Sequence, residues 1–293
     1  MPNKLGIILA GGSSNRLKPA TLAVTKQLLG VYDKPMIYYP LSTLMLAGIR
    51  NYVLICNPRE IESFQRVFEN CHEEMGINIT YAVQKEPKGI PEAYSITKDV
   101  LGEIVYNYEN SYLILGDNIF YGATLSGVLQ LPYTNATIFL QKVADPSRFG
   151  IAELDNHGII VSLQEKPVHP KGNLAITGLY IYPNDVYEKV KTLKPSVRGE
   201  LEITDLNQLY LNEKKLSGIK LARGVVWFDT GTADALLEAA QFIQTIQRHH
   251  RFLIGSPHEI AYNNKWITKQ QLHKIIQKYE GSQYGYILRE TYE

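Results

Sequence analysis

Along the front half of the chain, short unbroken apolar runs alternate with segments in which apolar residues recur every three or four positions. Leu5–Ala10, Tyr52–Cys56 (YVLIC), Ile79–Val83 (ITYAV) and Ser111–Leu115 (SYLIL) read as buried strands. Between them PMIYYPLSTLMLAGI, a stretch from Arg59, and a stretch from about Ile90 to Leu101 read as helices. That alternation predicts βαβ units and a mostly parallel sheet. Ligands of such sheets sit outside the carboxyl ends of the strands, which is where Gly11, Gln84 and the Gly116-Asp117 pair fall.

From Ala136 the pattern tightens into closer strands with turn residues between them: ATIFLQKV, FGIAEL, GIIVSLQEKP and LAITGLYIY. These predict a second, smaller sheet region forming a lid or floor for a second substrate. Helical spacing returns in LEITDLNQLYLNEKK and ADALLEAAQFIQTIQRHH, and the tail carries a further helix, TKQQLHKIIQKY. Without repeats or low-complexity linkers, the expectation is an α/β chain with a body over residues 1–240 and a small helical C-terminal appendage over 241–293.

Composition narrows the function classes. Thirty basic and twenty-nine acidic side chains in 293 residues leave the chain near neutral, with no bulk electrostatic case for nucleic acid or an acidic membrane surface. Cys56 and Cys71 are not spaced as a redox or zinc pair, which suits free thiols in a reducing cytosol. The opening MPNKLGIILAGG holds an apolar stretch too short for a signal peptide, and no stretch is long enough to span a bilayer. The expectation is a soluble, cytoplasmic protein.

The candidate chemistry begins in LGIILAGGSSNRLKPATLAVTKQLL, Leu5 to Leu29. Gly11 and Gly12 let backbone N–H groups approach a ligand, and Arg16 and Lys26 add positive charge with almost no acid nearby, a combination suited to a di- or triphosphate. The loop is neither a Walker A loop nor a G-x-G-x-x-G dinucleotide loop; a strand-end turn with solvated cations would look similar. Asp117 after SYLILG and Asp229 in VVWFDTGT are strand-end carboxylates. Each alone reads equally as a turn Asp bonding its own backbone, but together they suit one Mg²⁺ shared with substrate phosphates. In LQEKP, Glu165 suits sugar hydroxyls and Lys166 a phosphate, against an ordinary solvated pair. Arg198 in KPSVRGELEITD suits bidentate phosphate contact, against a role in capping loop carbonyls. Of the seven histidines, only those of RHHR at Arg248–Arg251 cluster, and these read as helix-terminal cations. No Ser-His-Asp or Cys-His constellation can be assembled.

With these residues in hand, essentially the whole chain resembles the sugar-nucleotide pyrophosphorylase family. LAGGSSNRL resembles the family's L-A-G-G-x-G-T-R-L signature, and KQLLGVYDKPMIYYPLSTLMLAGI, LGDNIFYG, EKP, TGLYIY, KPSVRGELEITDLN and WFDTGT resemble its further blocks. SPHEIAYNNKWI is similar to the C-terminal segment of its shorter thymidylyl-transferring members, which serves subunit contacts and an effector site. The resemblance implies a Rossmann-like mixed α/β fold and a Mg²⁺-dependent reaction of dTTP with glucose 1-phosphate giving dTDP-glucose and pyrophosphate. That product leads towards dTDP-L-rhamnose and related deoxysugars of cell-surface polysaccharide. It also implies a homotetramer, a dimer of dimers, with no nucleic-acid or membrane partner. By match of motif, Gly11, Gly12, Arg16 and Lys26 would hold the triphosphate, Gln84 and Gly89 would face the thymine, and Asp117 and Asp229 would hold Mg²⁺. Gly150, Glu165, Thr177 and Tyr180 would surround the glucose, with Lys166 and Arg198 on its phosphate. Catalysis would rest on Arg16, Lys26, Asp117 and Lys166, and the effector site on Arg223, Glu259 and Ile260.

The chain departs from the family pattern at three places. Ser14 stands at the signature's third glycine and Asn15 at its threonine, so a left-handed backbone at Ser14 would be strained. KGIPEAY replaces G-L-A-Q-A, bringing Pro91 and Glu92 near the base or sugar. Asn263 stands where arginine is expected in the tail. Alternatives at this stage are a UTP-using uridylyltransferase, a catalytically idle nucleotide-sugar sensor, and a glycosyltransferase. The first differs only by discrimination of one methyl, worth about 1–3 kcal/mol.

Overall fold

The computed structural model describes residues 3–12 and 14–293. Its strands run in chain order as β1 Lys4–Ala10, β2 Gly30–Val31, β3 Lys34–Pro35, β4 Asn51–Cys56, β5 Asn78–Val83, β6 Asn110–Leu115 and β7 Asn118–Tyr121. They continue as β8 Ala136–Lys142, β9 Gly150–Leu154, β10 Ile160–Glu165, β11 Leu174–Pro183, β12 Leu216–Lys220 and β13 Val226–Asp229. The predicted front strands are all present. β1 pairs β4 and β6 in parallel, and β4 pairs β5 in parallel, with crossover helices between them.

Of the strands after Ala136, β8 to β12 extend this same sheet, while β13 pairs β7 in a smaller second sheet. Long β11 is the branch point: Leu179–Pro183 runs antiparallel to β6, while Leu174–Ile176 and Tyr180–Ile181 pair β8 and Ala175 pairs β9. β10 closes the edge on β9, and β12 lies parallel to β8. The smaller separate ladders are β7 with β13 and β2 with β3.

Side-chain alternation divides the core between the two faces of the sheet. Ile8, Leu54 and Ile114, adjacent in register, pack into one cluster, and Ile7, Val53 and Leu113 into the other. Strands buried on both faces need continuous apolar sequence, which is why these runs are unbroken. The helix Tyr38–Leu46 is buried on nearly all sides, matching its lack of a polar face.

The helix Ala233–His250 passes continuously through position 240 and is closed by Arg251 in the left-handed conformation, φ 56°. Beyond it lie helices Pro257–Asn263, Lys269–Lys278 and Gln283–Tyr292, capped by Ser256, Thr268 and Ser282. Their Leu272, Ile275, Ile287 and Leu288 enter the cluster that holds Ile8 and Leu54, so this appendage shares the body's core. Among the described residues, no helix is long and apolar enough to cross a membrane.

Candidate active site

Gly11, Gln84 and Gly116-Asp117 directly follow β1, β5 and β6; β6 and β1 are neighbours, β5 lies beyond β4, and the three strand ends open at one edge of the sheet. At Gly11 the crowding is direct: a Cβ there would lie 2.3 Å from Gln84 Oε1. Ser14 has φ 52°, so the expected left-handed conformation is present, at a typical cost of about 1–2 kcal/mol. It is held by hydrogen bonds that its carbonyl accepts from Leu17 N at 3.1 Å and Thr21 Oγ1 at 3.0 Å. The turn Asn15–Leu17 that follows carries Arg16 toward β13. A Cβ on Gly231 would lie 2.6 Å from Arg16 Nη2 and 3.2 Å from Asp229 Oδ1, which places this guanidinium beside that carboxylate.

Lys26 forms an ion pair with Asp117, both side chains being 12% exposed. Asn118 Nδ2 donates to Asp117 Oδ1 at 2.9 Å, and Asn118 Oδ1 accepts from Trp227 Nε1 at 2.6 Å and Gly178 N at 3.1 Å. Thr230 donates to the Asp117 carbonyl through N, 3.1 Å, and Oγ1, 2.7 Å. The β7–β13 ladder sets Asp229 opposite Asn118 and brings the two carboxylates to one place. Burial pushes the Asp229 carboxyl up, the charge of Asp117 adds to this, and Lys26, Arg16 and Arg148 oppose it. Two facing carboxylates in a half-dry site fit a hard divalent cation with oxygen ligands. Among the described residues no group of three or more His, Cys, Asp or Glu side chains offers a metal site.

A cavity of about 410 Å³ runs from these carboxylates to the ends of β9 and β10. Its walls include Arg16, Asp117, Arg148, Gly150, Glu165, Lys166, Gly178, Tyr180, Trp227 and Asp229. Glu165, last residue of β10, pairs with Gly150, first of β9. Its Oε2 accepts from Thr204 Oγ1 at 2.5 Å, and its Oε1 lies 3.4 Å from both Lys166 Nζ and Arg198 Nη2. Lys166 leaves the strand with φ 40°, a second non-glycine residue in a strained region at the site. Arg198 is held chiefly by Glu202, at 2.6 Å. Burial, with the nearby Glu165 charge, raises the Tyr180 hydroxyl well above its ordinary range and keeps it a hydrogen-bond donor. Thr177 does not join them: alternation along β11 turns Ile176, Gly178 and Tyr180 into the cavity and Thr177 to the opposite side, fully buried. Its Oγ1 has no hydrogen-bond partner among the described residues.

A smaller space of about 210 Å³ adjoins through Ile90, Glu165, Lys166 and Ile203 and is lined by Gly12, Gln84, Gly89 and Arg198. Gly89 has φ 104°, and a Cβ there would lie 2.0 Å from the Leu201 carbonyl, so only glycine lets the 84–89 loop bridge to the Arg198 loop. Glu92, first residue of the helix Glu92–Leu101, accepts from Gln84 Nε2 at 2.7 Å. Pro91 is buried at the N-cap.

A separate cavity of about 240 Å³ lies between the helix Tyr38–Leu46, the end of β7 and the helix Pro257–Asn263. Glu259, Ile260 and Asn263 line it together with Ser256 and Tyr121. Arg223 does not; it is exposed on the turn between β12 and β13. Asn263 Oδ1 instead accepts from Tyr292 Oη at 3.1 Å.

Asn118, Arg148, Trp227 and Thr204 escaped the sequence reading. Asn118 and Trp227 stand beside Asp117 and Asp229 in the same blocks and were findable there. Arg148 and Thr204 carry no local signal, since only the fold brings them to the cavity.

Residues 5–246 match the nucleotidyl transferase family. The glucose-1-phosphate thymidylyltransferase of Neisseria meningitidis serogroup A is 47% identical over 97% of this chain and 98% of its own length. That of Mycobacterium tuberculosis is 46% identical over 98% and 99%. Among solved structures, one described as a glucose-1-phosphate thymidylyltransferase of Bacillus anthracis with bound sucrose superposes with a TM-score of 0.72. It is 36% identical, covering 82% of this chain and 94% of that one.

Proposed function

The chain belongs to the nucleotidyl transferase family, and from that premise we propose that it is a glucose-1-phosphate thymidylyltransferase, joining dTTP and glucose 1-phosphate into dTDP-glucose with release of pyrophosphate. The observation that carries this reading is the continuity of the two spaces. A sugar-sized end around Gly150, Glu165 and Tyr180 and a base-sized end around Gln84 and Gly89 adjoin at Ile90, Glu165, Lys166 and Ile203, with Arg16, Asp117 and Asp229 on the wall of the first and Lys26 paired to Asp117.

A phosphate oxygen of glucose 1-phosphate attacks the α-phosphorus of dTTP, that P–O bond forms as the bond to pyrophosphate breaks, and no covalent enzyme intermediate is needed. Such chemistry asks the protein for positioning and charge neutralisation. Glu165, aimed by Thr204, and Tyr180 hold sugar hydroxyls. Lys166 and Arg198 hold the sugar phosphate, and the Gly11–Gly12 loop with Arg16 and Lys26 holds the triphosphate. Lys26 exchanges Asp117 for phosphate oxygens when the nucleotide enters. Asp117 and Asp229 would hold Mg²⁺, which would supply neutralisation of phosphate charge.

The same reading assigns the separate cavity beside Glu259, Ile260 and Asn263 to a nucleotide-sugar effector, and carries with it a homotetramer, a cytoplasmic location and a place before deoxysugar-forming steps. Pyrophosphate release measured with dTTP, UTP, CTP and GTP against a panel of sugar 1-phosphates tests it. Turnover confined to dTTP or UTP with glucose 1-phosphate is expected, and failure of that pair to react would remove the assignment.

A further inference from the structure

We propose that Glu92 is a positioning residue that fixes the orientation of the Gln84 amide, and through it favours nucleobases with an imide N–H over cytosine. The inference rests on the reading that the space beside Gln84 and Gly89 receives the base.

Gln84 is 3% exposed, and its Nε2 donates to Glu92 Oε2 at 2.7 Å. The same oxygen accepts from Lys88 N at 3.2 Å, which ties it to the loop as well as to its own helix. An ionised carboxylate only accepts hydrogen bonds. Turning the amide over would remove a charge-assisted hydrogen bond and set the amide oxygen against a carboxylate oxygen in a nearly dry place.

The locked orientation leaves Oε1 above the glycine loop, so close to Gly11 that a Cβ there would lie 2.3 Å away. Gln84 therefore offers the base space a fixed acceptor. Thymine and uracil carry a hydrogen on N3 that meets this acceptor. Cytosine presents a lone pair at N3, and acceptor against acceptor is unfavourable. Glu92 touches no substrate in this arrangement; it acts through Gln84.

Glu92→Leu, close in size and without a polar atom, removes the oxygen that holds Gln84 Nε2 and frees the Gln84 amide to turn over. Initial rates of pyrophosphate release are measured with dTTP and with dCTP, each with glucose 1-phosphate. The KM for dTTP is expected to rise roughly tenfold with a smaller fall in kcat, and the dTTP-to-dCTP ratio of kcat/KM to fall about tenfold, while the KM for glucose 1-phosphate holds. Glu92→Ala, its fold checked by circular dichroism, is expected to shift the same ratio and serves if Glu92→Leu does not fold. A wild-type ratio in the folded variants overturns the proposal, as does a parallel loss of affinity for both nucleotides and for glucose 1-phosphate. A wild-type enzyme that uses dCTP as readily as dTTP overturns the base-site reading itself, whereas a selective wild type with an unmoved variant removes only the role of Glu92.

Discussion

Thr204 Oγ1 donates a 2.5 Å hydrogen bond to Glu165 Oε2, joining the first turn of the helix Ile203–Asn212 to the last residue of β10. Glu165 is thus aimed by a residue far along the chain. Thr204→Val keeps the shape and removes the donor. Because a hydrogen bond to a charged group contributes about 1.5–3 kcal/mol, the KM for glucose 1-phosphate is expected to rise roughly tenfold or more, with little change for dTTP. Steady-state kinetics varying each substrate in turn check this.

Asp117→Asn and Asp229→Asn each remove one negative charge from the paired carboxylates. Each is expected to lower kcat by about 100-fold or more; in Asp229→Asn the melting temperature stays near or above wild type, since burial and the Asp117 charge already oppose ionisation at Asp229. Chelation of Mg²⁺ should reproduce the loss in wild type. Near-normal turnover of either variant at low Mg²⁺ would reduce that carboxylate to a turn residue.

Lys166 combines a phosphate-seeking charge with φ 40°. Lys166→Ala and Lys166→Gly should both lose most turnover, but glycine accepts this backbone and alanine does not, a difference of about 1 kcal/mol. The glycine variant is therefore expected to be the more stable of the two, the reverse of their usual order within a strand. Chemical denaturation of both variants decides the point.

Burial pushes the Glu259 carboxyl up from 4.5 to about 7, against smaller opposing effects of Tyr292 and Lys34. The folded protein therefore holds this proton more tightly than the unfolded chain. The associated stability is full below about pH 4.5 and is lost as pH rises through about 7, a change of roughly 3 kcal/mol. Glu259→Gln should match wild type near pH 5 and exceed it at pH 8. Denaturation midpoints compared at the two values test this, because the contributions of other titrating groups cancel in the difference.

Asn263 places an amide where a phosphate-binding arginine would supply charge, and exposed Arg223 does not enter the same cavity to replace it. Asn263→Arg is expected to strengthen inhibition by a deoxythymidine-diphosphate sugar about tenfold or more, without competition against dTTP. Indistinguishable inhibition curves in wild type and variant would remove the effector assignment.

The sequence by itself determined the strand ends and much of what stands on them. Strands buried on both faces must be continuously apolar, so β1, β4, β5 and β6 and the residues leaving them, Gly11, Gln84 and Asp117, were legible from local pattern. Ser14 was marked as a strained position because only its backbone, and no partner, was in question. The tertiary structure alone decided what depends on pairing between distant segments. Side-chain alternation along β11 turned Thr177 away from the cavity that Ile176, Gly178 and Tyr180 face, and no motif fixes which alternate residues point inward. The branch at β11 drew β8 to β12 into the central sheet and left the smaller second sheet to β13 with β7, since short strands look alike whichever partner they choose. Thr204 on Glu165, Asn118 on Asp117 and Glu92 on Gln84 are hydrogen bonds whose direction depends on where the fold sets each donor. Residue identity names the groups able to bond, and packing chooses which of them meet.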